Sequence, residues 1–254
     1  LEKNPAMLLL VQGDTTSAFA AALGAFYSKV PIAHVEAGLR TDNIFDPYPE
    51  EVNRRLIGQI SSIHFAPTKA AEKNLYSSRV FGKIVNTGNT VIDALKIASK
   101  NKLTSNLFKN IHSEKIILAT IHRRENWNRL NQIASGIKNV LDNNNDAFLL
   151  LPLHKNPIVR KPFQEILGNH ERALLIEPLE YRDLIAALKI CKIVLTDSGG
   201  IQEEASAFSK PVLILRENTE RMESVDAGVA KLIGTNPKKI SFEVSKILNC
   251  ANGY

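Results

Sequence analysis

The feature that most constrains this chain is the alternation of short apolar runs with amphipathic stretches. In the first hundred residues, β-type runs precede helical patterns at Met7 to Val11, Ile32 to Val35, Ile63 to Ala66 and Lys83 to Val85. A second series of such runs follows at Lys115 to Ala119, Ala147 to Leu151, Ala173 to Ile176, Ile193 to Leu195 and Pro211 to Leu215. Strands and helices that alternate in this way require a parallel sheet with helices on both faces.

The polar stretch Ser99 to Ser113 separates the two series. The sequence therefore predicts an α/β fold of two Rossmann-like domains, residues 1–98 and 113–254, with a ligand cleft between them. Only four strand patterns precede the stretch, fewer than a doubly wound sheet usually has. We therefore expect the first domain to be incomplete.

Composition excludes several classes of protein. Hydrophobic residues make up 44% and charged residues 23% of the 254 residues, as in a globular protein. Apolar runs such as Ala147 to Pro152 are too short to cross a bilayer, and no leader pattern opens the chain, so we predict a cytoplasmic protein without a membrane partner. The net charge of +6 is scattered, which argues against nucleic-acid binding. Cys191 and Cys250 lack metal-ligand spacing, and we predict no metal site.

The run Thr196 to Glu204 places two glycines and a serine at a predicted turn from strand to helix. Ser198 can cap the helix, and free N–H groups at a helix start attract phosphate. Gly200 leaves room for the phosphate to approach. Glu204 stands one helical turn further along, where a carboxylate can accept two ribose hydroxyls. The run predicts a site for a nucleoside diphosphate, although a capped helix without a ligand would look the same.

Carboxylates follow the strands of the first predicted domain. Asp14 and Glu36 come directly after strand patterns, and Glu50 opens a helix pattern behind two prolines. In parallel sheets, ligands bind at the carboxyl ends of the strands. Asp14 could instead cap a helix, and Glu50 could simply complement a helix dipole.

Cationic and imidazole side chains follow the strands of the second predicted domain. His122 and Arg123 come after one strand pattern, His154 after the next, and Arg221 follows a later one. Lone histidines are more often structural, but both of these stand at strand ends. We therefore expect a phosphorylated ligand that bridges the cleft, with acid–base chemistry on the first domain.

Seven strings in this order resemble the non-hydrolysing UDP-N-acetylglucosamine 2-epimerases. They span almost the whole chain and comprise Gly13 to Thr16, His34 to Thr41, Pro49 to Arg54, Thr87 to Ala94, His122 to Asn126, Asp197 to Glu204 and Thr219 to Arg221.

The resemblance implies a fold similar to glycosyltransferase-B enzymes, a cytoplasmic homodimer and an isomerase. Such enzymes interconvert UDP-N-acetylglucosamine and UDP-N-acetylmannosamine and supply a precursor for polysaccharide biosynthesis. UDP is eliminated to leave a glycal, which is reprotonated from the opposite face before UDP adds back. No hydride moves, so neither a nicotinamide nor any other cofactor is implied, and cationic side chains take the place of a metal.

The resemblance also implies a role for individual residues. It assigns acid–base catalysis to Asp14, Glu36 and Glu50, and places His122 at the diphosphate as a further catalytic residue. The implied UDP contacts are His122, Ser198, Gly199, Gly200, Glu204 and Arg221. Arg123 and His154 match positions that some bacterial members use for a second, activating substrate molecule.

Three departures from the family pattern accompany these matches. The upstream first strand with its Gly-Thr-Arg-Pro-Glu loop is lacking, as are the glycine-rich turn and final helix after Asn252 to Tyr254, and Ile121 replaces a glycine or alanine. We therefore expect the 254-residue chain by itself to bind UDP but to epimerise poorly.

Three other functions fit part of the pattern. A two-domain glycosyltransferase would share the Ser198 turn but would not need three carboxylates at the sugar. A hydrolysing epimerase would release free N-acetylmannosamine, and the intact His122 to Asn126 string argues against it. A non-catalytic nucleotide-sugar sensor would keep Ser198, Glu204 and Arg221 and could lose the carboxylates.

Overall fold

The computed structural model describes residues 6–41, 43–99, 106–108 and 111–250. These residues form two compact units that divide between Thr90 and Val91. Part of the predicted linker lies outside the described residues. The helix that begins at Thr90 belongs almost entirely to the second unit, whereas the sequence placed it in the first. The predicted assignment of separate roles to residues 1–98 and 113–254 stays a prediction.

The first unit is built on a parallel sheet of four strands in sequential order. Its strands are β1 (Leu9–Gln12), β2 (Ile32–Val35), β3 (Ile63–Ala66) and β4 (Lys83–Asn86). Its helices are α1 (Thr16–Tyr27), α2 (Glu50–Ile60) and α3 (Lys69–Ser77). Threonine side chains cap two of these helices, since Thr15 accepts from the Ala18 N–H and Thr68 from the Ala71 N–H.

Two small apolar clusters form the core of the first unit. One joins β1 and β2 to helices α1 and α2 through Val11, Ala22, Ala25, Ile32 and Ile57. The other joins β3 and α3 to the loop after β2 through Ala37, Leu39, Ala66, Ala71 and Leu75.

The second unit is built on a parallel sheet of six strands. These are β5 (Lys115–Thr120), β6 (Ala147–Pro152), β7 (Ala173–Ile176), β8 (Ile193–Thr196), β9 (Val212–Ile214) and β10 (Ala230–Leu232). The α-helices are α4 (Thr90–Ser99), α5 (Leu130–Asn143), α6 (Pro157–Leu167), α7 (Tyr181–Ile190), α8 (Gly199–Ala207), α9 (Met222–Asp226) and α10 (Pro237–Leu248). Two short 3₁₀ helices span Asn106–Phe108 and Arg124–Arg129.

Large apolar clusters cover both faces of the second sheet. Ile117 and Ala119 of β5 belong to one cluster, whereas Ile116 and Leu118 belong to the other. This alternation follows from the two-residue period of a strand. The sheet is therefore buried on both sides, which explains why its strands read as nearly continuous apolar runs.

The strand order β10-β9-β8-β5-β6-β7 reverses direction at β5 and β8. These two strands pair in parallel and end together, with Thr120 opposite Thr196. The two threonine hydroxyls are 2.6 Å apart. In open α/β sheets ligands bind beyond the carboxyl ends of the strands at such a switch point. The loops after β5 and β8 are therefore the expected location of a ligand site in this sheet.

The predicted fold of two Rossmann-like α/β units is confirmed. All nine predicted strands are present, with ends that agree or differ by at most two residues. Strand β10 and helix α10 were not predicted. No helix among the residues described has the length and apolar character needed to span a membrane.

Candidate active site

Asp14 lies in the loop after β1 and is held by helix α2. Its Oδ2 accepts a hydrogen bond of 2.6 Å from Arg54 Nη2, and its backbone oxygen accepts one of 2.9 Å from Asn53 Nδ2. Thr15, not Asp14, caps helix α1. Asp14 is therefore not the helix cap, and an ion pair with an almost fully buried arginine fixes its carboxylate.

Glu36 follows β2 in a left-handed backbone conformation with a φ of 64°. Its Oε2 lies only 3.6 Å from the point where a Cβ on Gly13 would stand, so the carboxylate sits against the loop that carries Asp14. His34 Nε2 donates to the Gly13 carbonyl at 2.8 Å and ties the end of β2 to the same loop. Burial lowers the pKa of His34 to about 4, so this ring is neutral at pH 7.

Glu50 is the first residue of helix α2, one turn before Arg54. Its Oε2 is buried and has no hydrogen-bond partner among the described residues. Glu51 differs, because its fully buried carboxylate accepts from the Thr41 N–H and from Arg55 Nε. Glu51 thus holds the structure together, while Glu50 keeps an acceptor unused. Neighbouring loops and one helix start bring Asp14, Glu36 and Glu50 to the same edge of the sheet.

His122 and Arg123 lie in the loop after β5, where Asp197 holds them. Asp197 follows β8 and is fully buried. Its carboxylate accepts from the His122 N–H at 3.0 Å and from the Arg123 N–H at 3.0 Å. It also accepts from Asn126 Nδ2 at 3.0 Å. One carboxylate thus joins the loops on the two sides of the switch point.

The imidazole of His122 stacks on that of His154, with 6.1 Å between ring centroids. Burial lowers the pKa of His122, Asp197 opposes this shift, and Arg123 and His154 add to it. The exposed His154 ring accepts a hydrogen bond from the Asn156 N–H through Nδ1. The structure brings the two predicted histidines together.

A cavity of about 250 Å³ opens beside the two histidines. Its walls are mostly apolar and come from the loops after four strands and from two helices. They include Ile121, His122, Leu153, His154, Leu179 and Ser198. A larger cavity of about 490 Å³ lies where the strands of the same sheet begin, away from these residues. Two of its cations, Lys115 and Arg172, already donate to protein oxygens, so the smaller cavity is the better candidate for a ligand site in the second unit.

The turn from β8 into α8 leaves backbone N–H groups of the helix start near this cavity. Ser198 is the N-cap residue, but its hydroxyl makes no capping hydrogen bond, so the predicted serine cap is wrong. The Ser198 side chain instead lines the cavity, and its N–H donates to Thr196 Oγ1. A Cβ on Gly200 would meet nothing within 4 Å, which leaves open space above the helix start.

Glu204 lies on α8 one turn after Gly200, and its side chain is buried, which the sequence did not predict. Desolvation raises its pKa to about 7, while a hydrogen bond with Tyr181 acts in the opposite direction. A buried carboxylate has lost its hydrogen bonds from water and needs other hydrogen-bond donors. Two ribose hydroxyls would supply them.

Arg221 is held between two carboxylates. Its Nε donates to Glu203 Oε1 at 2.7 Å, and its Nη1 donates to Glu220 Oε1. Glu220 in turn accepts from the buried Arg216 at 3.0 Å. Gly199 packs under this arginine, because a Cβ there would stand 2.9 Å from the guanidinium carbon. The arginine is thus fixed in direction at the start of α8.

Sequence reasoning missed the residues that hold the predicted ones in place. These are Asn53, Arg54, Asn126, Tyr181, Asp197, Glu203 and Glu220. All of them except Tyr181 stand within the strings that carry the family resemblance, so their proximity in sequence to predicted residues was the available signal. Their partners could not be predicted, because most of these contacts join distant parts of the chain. Among the residues described, no group of His, Cys, Asp and Glu could hold a metal ion.

Comparison with known proteins adds relatives over the whole chain. A family model described as UDP-N-acetylglucosamine 2-epimerase matches residues 1–254. The Escherichia coli K12 UDP-N-acetylglucosamine 2-epimerase is 42% identical over 97% of this chain and 69% of its own length. This chain spans about two thirds of the length of the curated relatives it matches.

Solved structures agree with the sequence comparison. The Neisseria meningitidis UDP-GlcNAc 2-epimerase bound to UDP-GlcNAc aligns with a TM-score of 0.93 and 42% identity, over 98% of this chain and 70% of its own. The S. aureus MnaA co-structure with UDP aligns with a TM-score of 0.92 and 46% identity, over 98% of this chain and 67% of its own.

Proposed function

This chain belongs to the UDP-N-acetylglucosamine 2-epimerase family, and from that premise we propose that it is an isomerase of nucleotide sugars. It interconverts UDP-N-acetylglucosamine and UDP-N-acetylmannosamine by inversion at the second carbon of the sugar, without hydrolysis. The observation that supports this most directly is the gathering of Asp14, Glu36 and Glu50 at one edge of the first sheet. A nucleotide sensor has no use for three such carboxylates.

The chemistry explains why these groups are needed. The proton on the second carbon is not acidic until cleavage of the bond to UDP gives the anomeric carbon oxocarbenium character. Loss of that proton leaves a glycal, and a proton delivered to the opposite face followed by return of UDP completes the inversion. One carboxyl group must act as base and another as acid on different faces of the ring. We assign these tasks to the set Asp14, Glu36 and Glu50.

The second unit binds the nucleotide in this proposal. The departing diphosphate gains negative charge, which positive groups and helix N–H groups stabilise. His122, Arg221 and the turn Ser198 to Gly200 supply them, and Glu204 accepts the ribose hydroxyls. The ion pairs that fix Arg221 support the assignment, because a guanidinium held in one direction loses little entropy on binding.

Partners and regulation belong to the same proposal. The enzyme works in the cytoplasm as a homodimer. Light scattering on the purified protein would test the dimer. Arg123 and His154 bind a second substrate molecule that activates the enzyme. The stacking of His154 on His122 supports this, since it joins such a site to the diphosphate site. Loss of substrate activation in His154→Ala, with UDP binding retained, is the expected result.

Proton NMR in deuterated water tests the activity. Incubation with UDP-N-acetylglucosamine should introduce deuterium at the second carbon of the sugar, with the nucleotide still attached and both epimers present. Release of free N-acetylmannosamine would show a hydrolysing enzyme. Transfer of the unchanged sugar to an acceptor would show a glycosyltransferase, and binding without exchange in a chain extended at both termini would show a sensor.

A further inference from the structure

Asp197 occupies the point where the strand order of the second sheet reverses. It follows β8 directly, it is fully buried, and both of its oxygens face the loop that follows β5. Three donors from that loop reach it: the N–H groups of His122 and Arg123 and the side chain of Asn126. Asn126 also donates to the carbonyl of Leu215 at 3.0 Å, which joins the loop after β9 to the same centre.

A buried carboxylate is costly unless its oxygens accept hydrogen bonds. Three donors around Asp197 meet that requirement, and all of them come from one short segment. The arrangement therefore fixes the backbone of His122 relative to α8, which begins two residues after Asp197. Two N–H groups of consecutive residues that point at one carboxylate also leave little freedom to the peptide between them.

The same carboxylate faces the imidazole of His122. Asp197 Oδ1 lies 3.5 Å from His122 Nδ1. Among the described residues, the other charged or titratable groups that act on the ring are Arg123 in its own loop and His154 after β6, and both disfavour a positive imidazole. Asp197 is thus the negative group that acts against Arg123, His154 and desolvation together.

We infer that Asp197 is a positioning residue that holds the His122 loop at the switch point and provides the negative charge against which an imidazolium at His122 can form. This inference deepens the proposed function, on which it rests for the role of His122 at the diphosphate. A positive imidazole beside a leaving diphosphate stabilises the charge that develops there. Without Asp197, no negative group among those that act on the ring would oppose Arg123, His154 and desolvation.

The test is an NMR titration of the imidazole protons of His122 without ligand. Comparison with His122→Gln assigns the resonance among the six histidines. In Asp197→Asn the His122 midpoint should move to lower pH by about one unit or more, because a charge about 3.5 Å away is lost. Glu243→Gln is the matched control, since it removes a buried carboxylate that pairs with Lys231, and it should leave the midpoint unchanged.

Activity measurements on a chain extended at both termini separate positioning from mere support of the fold. In Asp197→Asn the pH profile of kcat/KM should shift to lower pH, whereas a structural defect would lower the whole profile without moving it. An unmoved His122 midpoint in folded Asp197→Asn would overturn the inference. If the extended parent chain shows no epimerase activity, the proposed function fails, and the ligand-free titration still decides the role of Asp197.

A second variant covers the case in which Asp197→Asn does not fold. Asn126→Ala keeps the charge of Asp197 but removes one tie to the loop. The His122 midpoint should stay within about 0.5 pH units of the parent or rise, while UDP binding weakens severalfold. A fall in the midpoint, or UDP affinity equal to that of the parent, would contradict the inference.

Discussion

At the scale of single residues, Glu36 shows how the site is built. A glutamate with a φ of 64° is strained, and such strain persists only where the surroundings impose it. Here the side chain of Glu36 lies where Gly13 has none, and His34 fixes the Gly13 carbonyl beside it. The backbone at Glu36 thus brings the carboxylate against the loop that carries Asp14.

This geometry predicts that charge, not shape, matters at two of the carboxylates. Glu36→Gln and Glu50→Gln keep the size of the side chain but remove the proton-transfer group. In a chain extended at both termini, each should lower turnover by on the order of a hundredfold or more and leave UDP affinity within a few fold. Steady-state kinetics and calorimetry check this, with Glu72→Gln on α3 as a control that should retain turnover. Turnover within threefold of the parent in both variants would remove these residues from the chemistry.

The raised pKa of Glu204 leads us to expect that nucleotide binding depends on pH. Its pKa of about 7 means that the carboxylate, the form that accepts ribose hydroxyls, is lost as the pH falls through 7. UDP affinity should therefore fall severalfold between pH 8 and pH 6.

The effect of Glu204 on folding stability has the opposite sign. Between about pH 4.5 and pH 7 the folded protein holds a proton on this group that the unfolded chain lacks. Glu204 therefore stabilises the fold below pH 4.5, and this contribution is lost as the pH rises through 7.

Calorimetry across this pH range compares the parent with Glu204→Gln. The phosphate of UDP titrates near pH 6, and it does so equally for both proteins. The difference between the two curves therefore reports Glu204 alone. Parallel curves for the two proteins would show that the carboxylate does not act on the ribose.

At the scale of elements, two neighbouring glycines at the start of α8 have different surroundings. A Cβ at position 199 would push against Arg221, whereas one at position 200 would enter open space. Gly199→Ala should therefore lower the melting temperature and weaken UDP binding by displacing Arg221.

Gly200→Ala should keep or raise the melting temperature, because alanine is the better helix former, yet weaken UDP by occupying the space of the phosphate. Thermal melts and calorimetry on both variants check this pair. Equal UDP affinity in Gly200→Ala and the parent would place the diphosphate elsewhere.

Helix α2 predicts a coupled loss of stability and activity. Arg54 is buried, pairs with Asp14 at 2.6 Å and lies 3.4 Å from Glu51. Arg54→Ala leaves these carboxylates short of a counter-charge and should cost about 3 to 5 kcal/mol of unfolding free energy. Turnover should fall as well, because Asp14 loses its orientation. Urea denaturation and kinetics measure both, with exposed Lys73→Ala as the control, and a cost below about 1 kcal/mol would contradict the role given to Arg54.

The sequence predicts the helices and strands better than it predicts the contacts between side chains. Strands such as Ile193–Thr196 could be predicted because a strand buried on both faces is apolar at every position. The three-residue strand β10 has a lysine at its centre, so its pattern is too short and too polar to stand out. Asp197 looks like an ordinary turn residue in sequence. Its three donors come from a loop about 75 residues earlier, and only tertiary structure brings them to it.

At the scale of the whole molecule, the two units differ in how much core they have. The described part of the first unit has a sheet of four strands and two small apolar clusters. The second unit has six strands between two large clusters. Leu8 before β1 and Leu10 within it are about half exposed or more, so apolar groups of the first unit stay in contact with water. Burial of apolar surface is the main source of stability, so the first unit should be the weaker one.

Hydrogen exchange of this chain tests that difference. Amides of residues 1–90 should exchange faster than those of residues 115–235, because a smaller core lowers the free energy of opening. UDP should slow exchange in the second unit more than in the first, since a ligand stabilises the part that binds it. The same experiment on Arg221→Ala provides the control, because weakened UDP binding should reduce the protection of the second unit alone. Equally fast exchange in both units would show that they open as one cooperative unit. Protection by UDP spread evenly over the chain would show that nucleotide binding does not depend on the second unit in particular.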